Sequence, residues 1–191
     1  MTDAHTPRRE ARPLPWVERW LQGCQPGQQM LDLACGSGRH VQAGLALGLR
    51  VLAVDRNAQA LARLPRGTET LCADLEGQAW PFMDRRFDVI VVTHYLFRPR
   101  LALLAGLLAP GGRLIYSTFA HGNARFGKPS NPDYLLAEGE LWARARLAGL
   151  SVIAYEHGLD PGESPAIVQR LCAVRPIAGQ EWPGQLELAF F

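Results

Sequence analysis

The chain predicts an α/β fold: a mostly parallel sheet with helices on both faces and an antiparallel pair of strands at one edge. Three observations lead there. Apolar runs of strand length alternate with segments of helical spacing as far as residue 119. The run Phe87-Asp88-Val89-Ile90-Val91-Val92-Thr93 is almost continuously apolar, as expected of a central strand whose sheet is covered on both sides. The last two runs, about 151–157 and 166–174, follow one another with no helix between them, which predicts the antiparallel pair.

Each element has its own local warrant. Residues 15–21 read as a short helix, with Pro15 tolerated in the first turn and Trp16 and Trp20 on one face at i,i+4; Gly23 and Pro26-Gly27 end it. The first strand, 30–33, runs into the glycines Gly36 and Gly38, after which 41–47 continues as a helix up to Gly48. A second strand spans 50–54. Residues 57–64 have helical spacing and stop before Pro65, and 69–72 form a short third strand. After the fourth strand, 99–108 is helical, Pro110-Gly111-Gly112 reads as a turn, and 113–119 is the fifth strand. Residues 120–134 are rich in Gly, Asn and Pro, a long connection of the kind that carries function, and precede a helix near 138–147.

With 191 residues and 48% hydrophobic content, the chain is long enough for one domain with a real core. We expect that domain at 15–176, between tails at 1–14 and 177–191. The formal net charge of +2 comes almost wholly from arginine, Lys128 being the lone lysine, and it does not indicate a nucleic-acid surface. Cys24, Cys35, Cys72 and Cys172 show no Cys-x-x-Cys spacing, and three lie in or beside apolar runs, which fits a reducing compartment. The N-terminal residues lack an apolar signal core, and no stretch approaches the ~20 apolar residues of a membrane span. The expectation is a cytoplasmic protein that does not enter the membrane.

The chemistry concentrates in Leu31-Asp32-Leu33-Ala34-Cys35-Gly36-Ser37-Gly38-Arg39-His40. A glycine loop between strand and helix lets backbone approach a ligand, and the helix start favours a negative group. A dinucleotide site wants a third glycine, but Val41 stands there, and its bulk argues against a pyrophosphate. Asp32 just before the loop suits an ammonium group and would repel phosphate. The ligand is therefore zwitterionic. Asp55 ends the second strand about twenty residues after Gly36, where a carboxylate accepts ribose hydroxyls. Asp74 ends the third and is placed to receive an adenine amino group. Either acid alone reads equally well as a solvated strand end; the set of three outlines one pocket.

At these residues the chain resembles the class I S-adenosylmethionine-dependent methyltransferases, across roughly residues 15 to 175. The resemblance rests on Asp32-Leu33-Ala34-Cys35-Gly36-Ser37-Gly38, Asp55, Ala73-Asp74-Leu75, the Phe87-Asp88-Val89-Ile90-Val91 strand, and Leu108-Ala109-Pro110-Gly111-Gly112-Arg113-Leu114. It implies a Rossmann-like, doubly wound sheet of seven strands, with helices on both faces and a last strand that is antiparallel. Within the class, Gly36-Ser37-Gly38-Arg39-His40 and the stretch from Asn131-Pro132-Asp133-Tyr134 to Leu141 look like the tellurite-resistance methyltransferase group. In that group a His-Arg pair near the final hairpin is implicated in catalysis, whereas residues 161–166 here contain neither, and His157 lies just upstream. That departure leaves tellurite or selenite open as the substrate.

The resemblance implies transfer of a methyl group from S-adenosylmethionine, leaving S-adenosylhomocysteine, by in-line displacement and with no metal. Alignment and exclusion of water supply much of the acceleration of such a reaction. The expected donor contacts are Asp32, Ala34, Cys35, Gly36, Gly38, Arg39, His40, Asp55, Arg56, Asp74, Leu75 and Thr93. The methyl group emerges at the carboxyl end of the fourth strand, because ligands of open parallel sheets bind there. His94 is a candidate general base, the alternative being a histidine that only hydrogen-bonds a backbone carbonyl. Tyr95 is a second candidate at the reaction centre and, with Phe97, for the acceptor wall. Asp88 is at the wrong end of its strand and reads as structural. Arg98 and Arg125 suit an anionic acceptor, and the loop 122–134, with Phe126 and Tyr134, is placed either to close over it or to serve as a plain crossover.

The end of the chain, Gln185-Leu186-Glu187-Leu188-Ala189-Phe190-Phe191, resembles the short peptides by which bacterial proteins dock on the DNA-polymerase sliding clamp; the alternative is that it folds back on the domain or on a second copy. The acceptor expected is a small molecule, with a modified RNA or protein residue as the alternative. Two further readings of the whole chain remain: a nicotinamide-dependent oxidoreductase, which would not explain Asp32, Asp74 or Pro110-Gly111-Gly112, and a non-catalytic binding module that keeps the donor site.

Overall fold

The computed structural model describes residues 12–77, 79–82, 84–162 and 164–179. The proposed clamp peptide at 185–190 lies outside them, as does most of the N-terminal tail. Seven strands, β1 (Gln29–Leu33), β2 (Arg50–Asp55), β3 (Glu69–Cys72), β4 (Phe87–Thr93), β5 (Leu108–Phe119), β6 (Ser151–Asp160) and β7 (Ala166–Val174), form one sheet in the order β3-β2-β1-β4-β5-β7-β6. The pairs from β3 to β5 are parallel, while β7 runs antiparallel to both β5 and β6. The expected terminal hairpin is present, with its second strand inserted inside the edge.

Alternation of side chains along the strands divides the core in two. On one face α1 (Pro15–Leu21), α2 (Arg39–Ala46) and α3 (Ala58–Leu61) bury Trp16, Val17, Leu21, Val41 and Leu61 against Met30, Val51, Val89, Val91, Ile115 and Cys172. On the other, α4 (Leu101–Leu107) and α5 (Glu140–Leu147) bury Leu104, Leu107, Leu141 and Ala145 against Leu31, Leu52, Ile90, Val92, Leu114 and Leu171. Both faces of β4 are therefore apolar, which is why its sequence hardly alternates. Among the described residues no helix is long and apolar enough to cross a membrane.

Two local expectations are corrected. The helix expected at 57–64 is the single turn Ala58–Leu61: Asn57 caps it by accepting from the Gln59 and Ala60 amides, and the chain tightens before Pro65. Pro110-Gly111-Gly112 is not a free turn but the irregular start of β5, where the register with β4 slips between Phe87 and Val89. There Gly111 donates to the Arg175 carbonyl and Gly112 accepts from the Arg175 amide.

The crossover from β5 to α5 is tied down at several points. Asn123, 1% exposed, accepts from the Ile167 amide (3.1 Å) and donates to the Pro129 carbonyl (3.0 Å). Arg98 grips Glu140 with two nitrogens (2.8 and 2.9 Å) and donates to the carbonyls of Asp133 and Leu135. Glu140 also accepts from Arg144 and from the Ala137 amide. Burial would raise the Glu140 carboxyl, but these hydrogen bonds outweigh it and hold it down at about 2. Its stabilisation is therefore complete above the ordinary pKa of 4.5 and fades as the pH falls through about 2. Glu140→Gln should cost about 2 kcal/mol at pH 7, and less at pH 3, in urea melts of both proteins; equal stability at pH 7 would show that the cluster contributes nothing.

Candidate active site

The glycine loop is built by conformation before chemistry. Ala34, Gly36 and Gly38 all have positive φ, of 56°, 54° and 78°. A Cβ on Gly36 would meet nothing within 4 Å, so the glycine serves the backbone turn and leaves space in front of it open. The close helix-to-strand contact that a third glycine would give comes from Gly44 instead, where a Cβ would stand 2.6 Å from Met30 Sδ and 3.0 Å from Val51.

Asp32, 1% exposed, sits at the foot of this loop with Oδ2 buried and unpartnered. Burial pushes its carboxyl up to about 7; Arg39 pulls the other way and Asp55 adds to the rise. A buried carboxyl oxygen without a partner is costly, and a cationic donor is the group that best satisfies it. Asp55, at the end of β2, accepts from the Gly36 amide through Oδ2 (2.8 Å) and from the Asn57 amide through Oδ1 (2.9 Å). Each oxygen keeps lone-pair capacity for a ligand. The Gly36 amide is thereby committed to Asp55, while Arg39 opens α2 directly after the loop.

A cavity of about 210 Å³ opens at the carboxyl ends of β1, β2 and β3, lined by Ala34, Asp55, Arg56, Ala73, Asp74, Leu75, Glu76 and Tyr95. Six of these eight were singled out in the sequence. Ala73 and Glu76 were not, although they flank Asp74-Leu75. Asp74 Oδ1 accepts from the Glu76 amide (2.9 Å), which turns Glu76 into the cavity wall. The ring of Tyr95 also borders a narrower apolar cleft with Leu33, Trp80, Phe97 and Leu104.

Several expected ligand contacts face elsewhere. His40 is buried; its Nε2 accepts from the Leu14 amide (3.3 Å), so its proton resides on Nδ1 and donates to Thr93 Oγ1 (3.4 Å). The side chains of His40 and Thr93 thus fasten α1 and α2 to β4 and do not line the cavity. The Cys35 thiol, pushed up to about 12 by burial and then by Asp32 and Asp55, donates to the Gly36 carbonyl and is chemically quiet. Arg98 is consumed by Glu140 and two carbonyls and offers no fork to an anion. Its partner stands 42 residues away, beyond any local pattern. Arg125 lies over the Phe126 ring, and Phe126 and Tyr134 are exposed on the crossover; none of the three lines the cavity.

His94 and Tyr95 follow β4. Tyr95 Oη is buried without a partner, and burial followed by Glu76 raises its pKa, so it stays a phenol. His94 adopts φ 53°, packs on Phe119 with ring centroids 4.7 Å apart, and has Nδ1 3.3 Å from Arg39 Nη2. Partial burial and then the Arg39 cation lower its pKa to about 4. Asp88, at the far end of β4, accepts from the Gln29 amide (2.8 Å), a structural contact as expected.

Residues 30–112 match a family described as a methyltransferase domain. A demethylmenaquinone methyltransferase of Renibacterium salmoninarum is 30% identical over 107 residues, covering 52% of this chain and 44% of that protein. The chain spans less than half the length of the curated relatives it matches. Among solved structures, TehB from Haemophilus influenzae aligns with a TM-score of 0.68 at 20% identity, over 83% of this chain and 61% of that one. A Burkholderia thailandensis 1,6-didemethyltoxoflavin-N1-methyltransferase, solved with its acceptor and S-adenosylhomocysteine bound, aligns with a TM-score of 0.62 at 20% identity, over 85% of this chain and 77% of that one.

Proposed function

We propose that this chain, a class I S-adenosylmethionine-dependent methyltransferase by its domain and fold, moves the donor's methyl group to a small-molecule acceptor held at the carboxyl end of β4. The observation that carries the donor half is the buried, unpartnered Oδ2 of Asp32 at the foot of the glycine loop. It asks for a cation, and the neighbouring cavity walls of Asp55 and Asp74 ask for a nucleoside. A ligand with an ammonium, a ribose and an adenine answers all three.

Asp32 would take the ammonium, Arg39 and the start of α2 the carboxylate, Asp55 the ribose hydroxyls, and Arg56, Asp74, Leu75 and Glu76 would enclose the base. When bound, the donor would supply an electrophilic methyl on a sulfonium, the C–S bond breaking as the acceptor's lone pair forms the new bond, with the C–S electron pair left on the sulfur of S-adenosylhomocysteine. The work of the protein is to align the two partners and exclude water, which needs no nucleophile of its own. Support for a small acceptor comes from the modest net charge and from the didemethyltoxoflavin bound by the Burkholderia thailandensis neighbour. The unit proposed for this is residues 15–176, in the reducing cytoplasm that the scattered cysteines suit.

Calorimetry should register heat with S-adenosylhomocysteine and none with NAD; heat with NAD alone would overturn the donor assignment. Labelled S-adenosylmethionine incubated with fractionated cell extract should mark the small-molecule fraction. Label confined to RNA or protein would overturn the acceptor class.

A further inference from the structure

His94, partly open to solvent just past β4, is held by contacts of both its backbone and its ring. Its backbone lies in the left-handed region, which is costly for a residue with a Cβ and tends to persist where a side chain must be aimed. Its amide donates to the Ser117 carbonyl (2.9 Å), and its ring rests on Phe119. Arg39 Nη2 approaches Nδ1 to 3.3 Å. A guanidinium can only donate, so Nδ1 must accept, and in a neutral imidazole the proton then resides on Nε2.

We propose that Arg39 fixes His94 in its Nε2–H tautomer, so that His94 meets the methyl acceptor as a hydrogen-bond donor and not as a general base. The proposal rests on the methyl-transfer reading above and deepens it toward the acceptor. Its Nδ1 lone pair is covered by Arg39, and its Nε2 already carries a proton. Neither nitrogen is free to remove one. Tyr95, kept a phenol, is no better placed to do so. The acceptor therefore arrives with its nucleophilic lone pair already free at neutral pH, and carries an oxygen or nitrogen for the His94 N–H to hold. An alcohol that must lose a proton before it reacts does not meet those terms. The charged and titratable groups that face His94 are Arg39 and His40 from α2, Asp160 from β6 and Arg170 from β7. Of these only Asp160 favours the imidazolium.

The tautomer is read without donor or acceptor, from the ring nitrogen shifts of ¹⁵N-histidine in the full chain, with the His94 signals assigned by their loss in His94→Gln. The expected pattern at pH 7 is an unprotonated Nδ1 and a protonated Nε2. In Arg39→Met the two tautomers should mix and the midpoint of titration should return toward that of free histidine. A proton on Nδ1 in the unaltered chain, or an unchanged tautomer in Arg39→Met, would overturn the proposal. The second readout is labelled-methyl transfer to extract. His94→Gln, which carries an N–H near the Nε2 position, should keep activity within about threefold, while His94→Ala loses about tenfold. A loss as deep in His94→Gln as in His94→Ala would mark a base, and full activity in both would remove His94 from the acceptor site. If the unaltered chain transfers no label at all, the methyl-transfer reading fails while the nitrogen shifts still decide the tautomer.

Discussion

Asp32→Asn is expected to make the protein more stable above neutral pH and, at the same time, to weaken its binding of S-adenosylhomocysteine roughly 30-fold, the effect of losing about 2 kcal/mol from a buried charge pair. The two effects have one cause. The Asp32 carboxyl is raised from 3.8 to about 7, chiefly by burial. Between those values the folded chain holds a proton that the unfolded chain has released, so stability falls as the pH rises through the interval. The cost is absent below 3.8 and complete above about 7, where it is of order 4 kcal/mol at 1.36 kcal/mol per pKa unit. Asparagine fills the same space and carries none of it.

The ammonium of the ligand reverses the account. An ionised Asp32 that is expensive in the empty site gains a partner in the filled one, so affinity for S-adenosylhomocysteine should rise with pH through about 7, and binding at pH 6 should release protons to the buffer. Melts at pH 4 and pH 8, with calorimetry in two buffers of different ionisation heat, separate the terms. A mutant that is less stable at pH 8, or that binds the ligand as well as the unaltered protein, would contradict the assignment of Asp32 to the ammonium. Glu140 supplies an internal contrast. Its carboxyl is held low by donors, so it stabilises in the range where Asp32 costs most.

Much of this was readable in the sequence, for a physical reason. An apolar run that ends on an acid is a strand that carries a charge to its solvent end. Asp55 does so at the end of β2 and Asp74 two residues beyond β3, whereas Asp32 is next to last in β1 and buried; the structure gathers Asp55 and Asp74 around one cavity with Asp32 at the foot of the adjoining loop. The alternation of strand and helix was legible for the same reason: burial writes a period into the chain. Partners distant in sequence leave no such period. Nothing local to Arg98 says that it will spend its fork on Glu140, or to His40 that it will hold Leu14, or to Asn123 that it will pin the crossover to β7. These polar residues were open to a functional reading until their partners were seen. The buried Asn123 is the one with a faint signal, a lone amide between Gly122 and Ala124 in a segment too long for a simple turn.

Gly112→Ala should be the most damaging single methyl group added to the fold, at about 3 kcal/mol or more, which lowers Tm by roughly 6–12 °C in a domain of this size. The new Cβ would lie 2.8 Å from the Ala109 carbonyl oxygen, 2.9 Å from that of Phe87 and 3.1 Å from the Ala109 amide nitrogen. All three are backbone, held where β4 and β5 slip register, and none can swing aside as a side chain would. Gly112 is further pinned by the Arg175 amide that donates to its carbonyl. Gly106→Ala is the matched contrast. Gly106 is exposed within α4, a Cβ there meets nothing within 4 Å, and alanine loses less backbone freedom on folding than glycine, so the same methyl should stabilise by about 0.5–1 kcal/mol. Thermal melts of the two variants should move in opposite directions; a shared sign would mean that close backbone approach is not what Gly112 provides. Because Gly112 pairs beside Phe87, at the opposite end of the sheet from Asp32, Asp55 and Asp74, whatever Gly112→Ala protein remains folded should bind S-adenosylhomocysteine with unaltered affinity, whereas Asp32→Asn should leave a stable protein that does not.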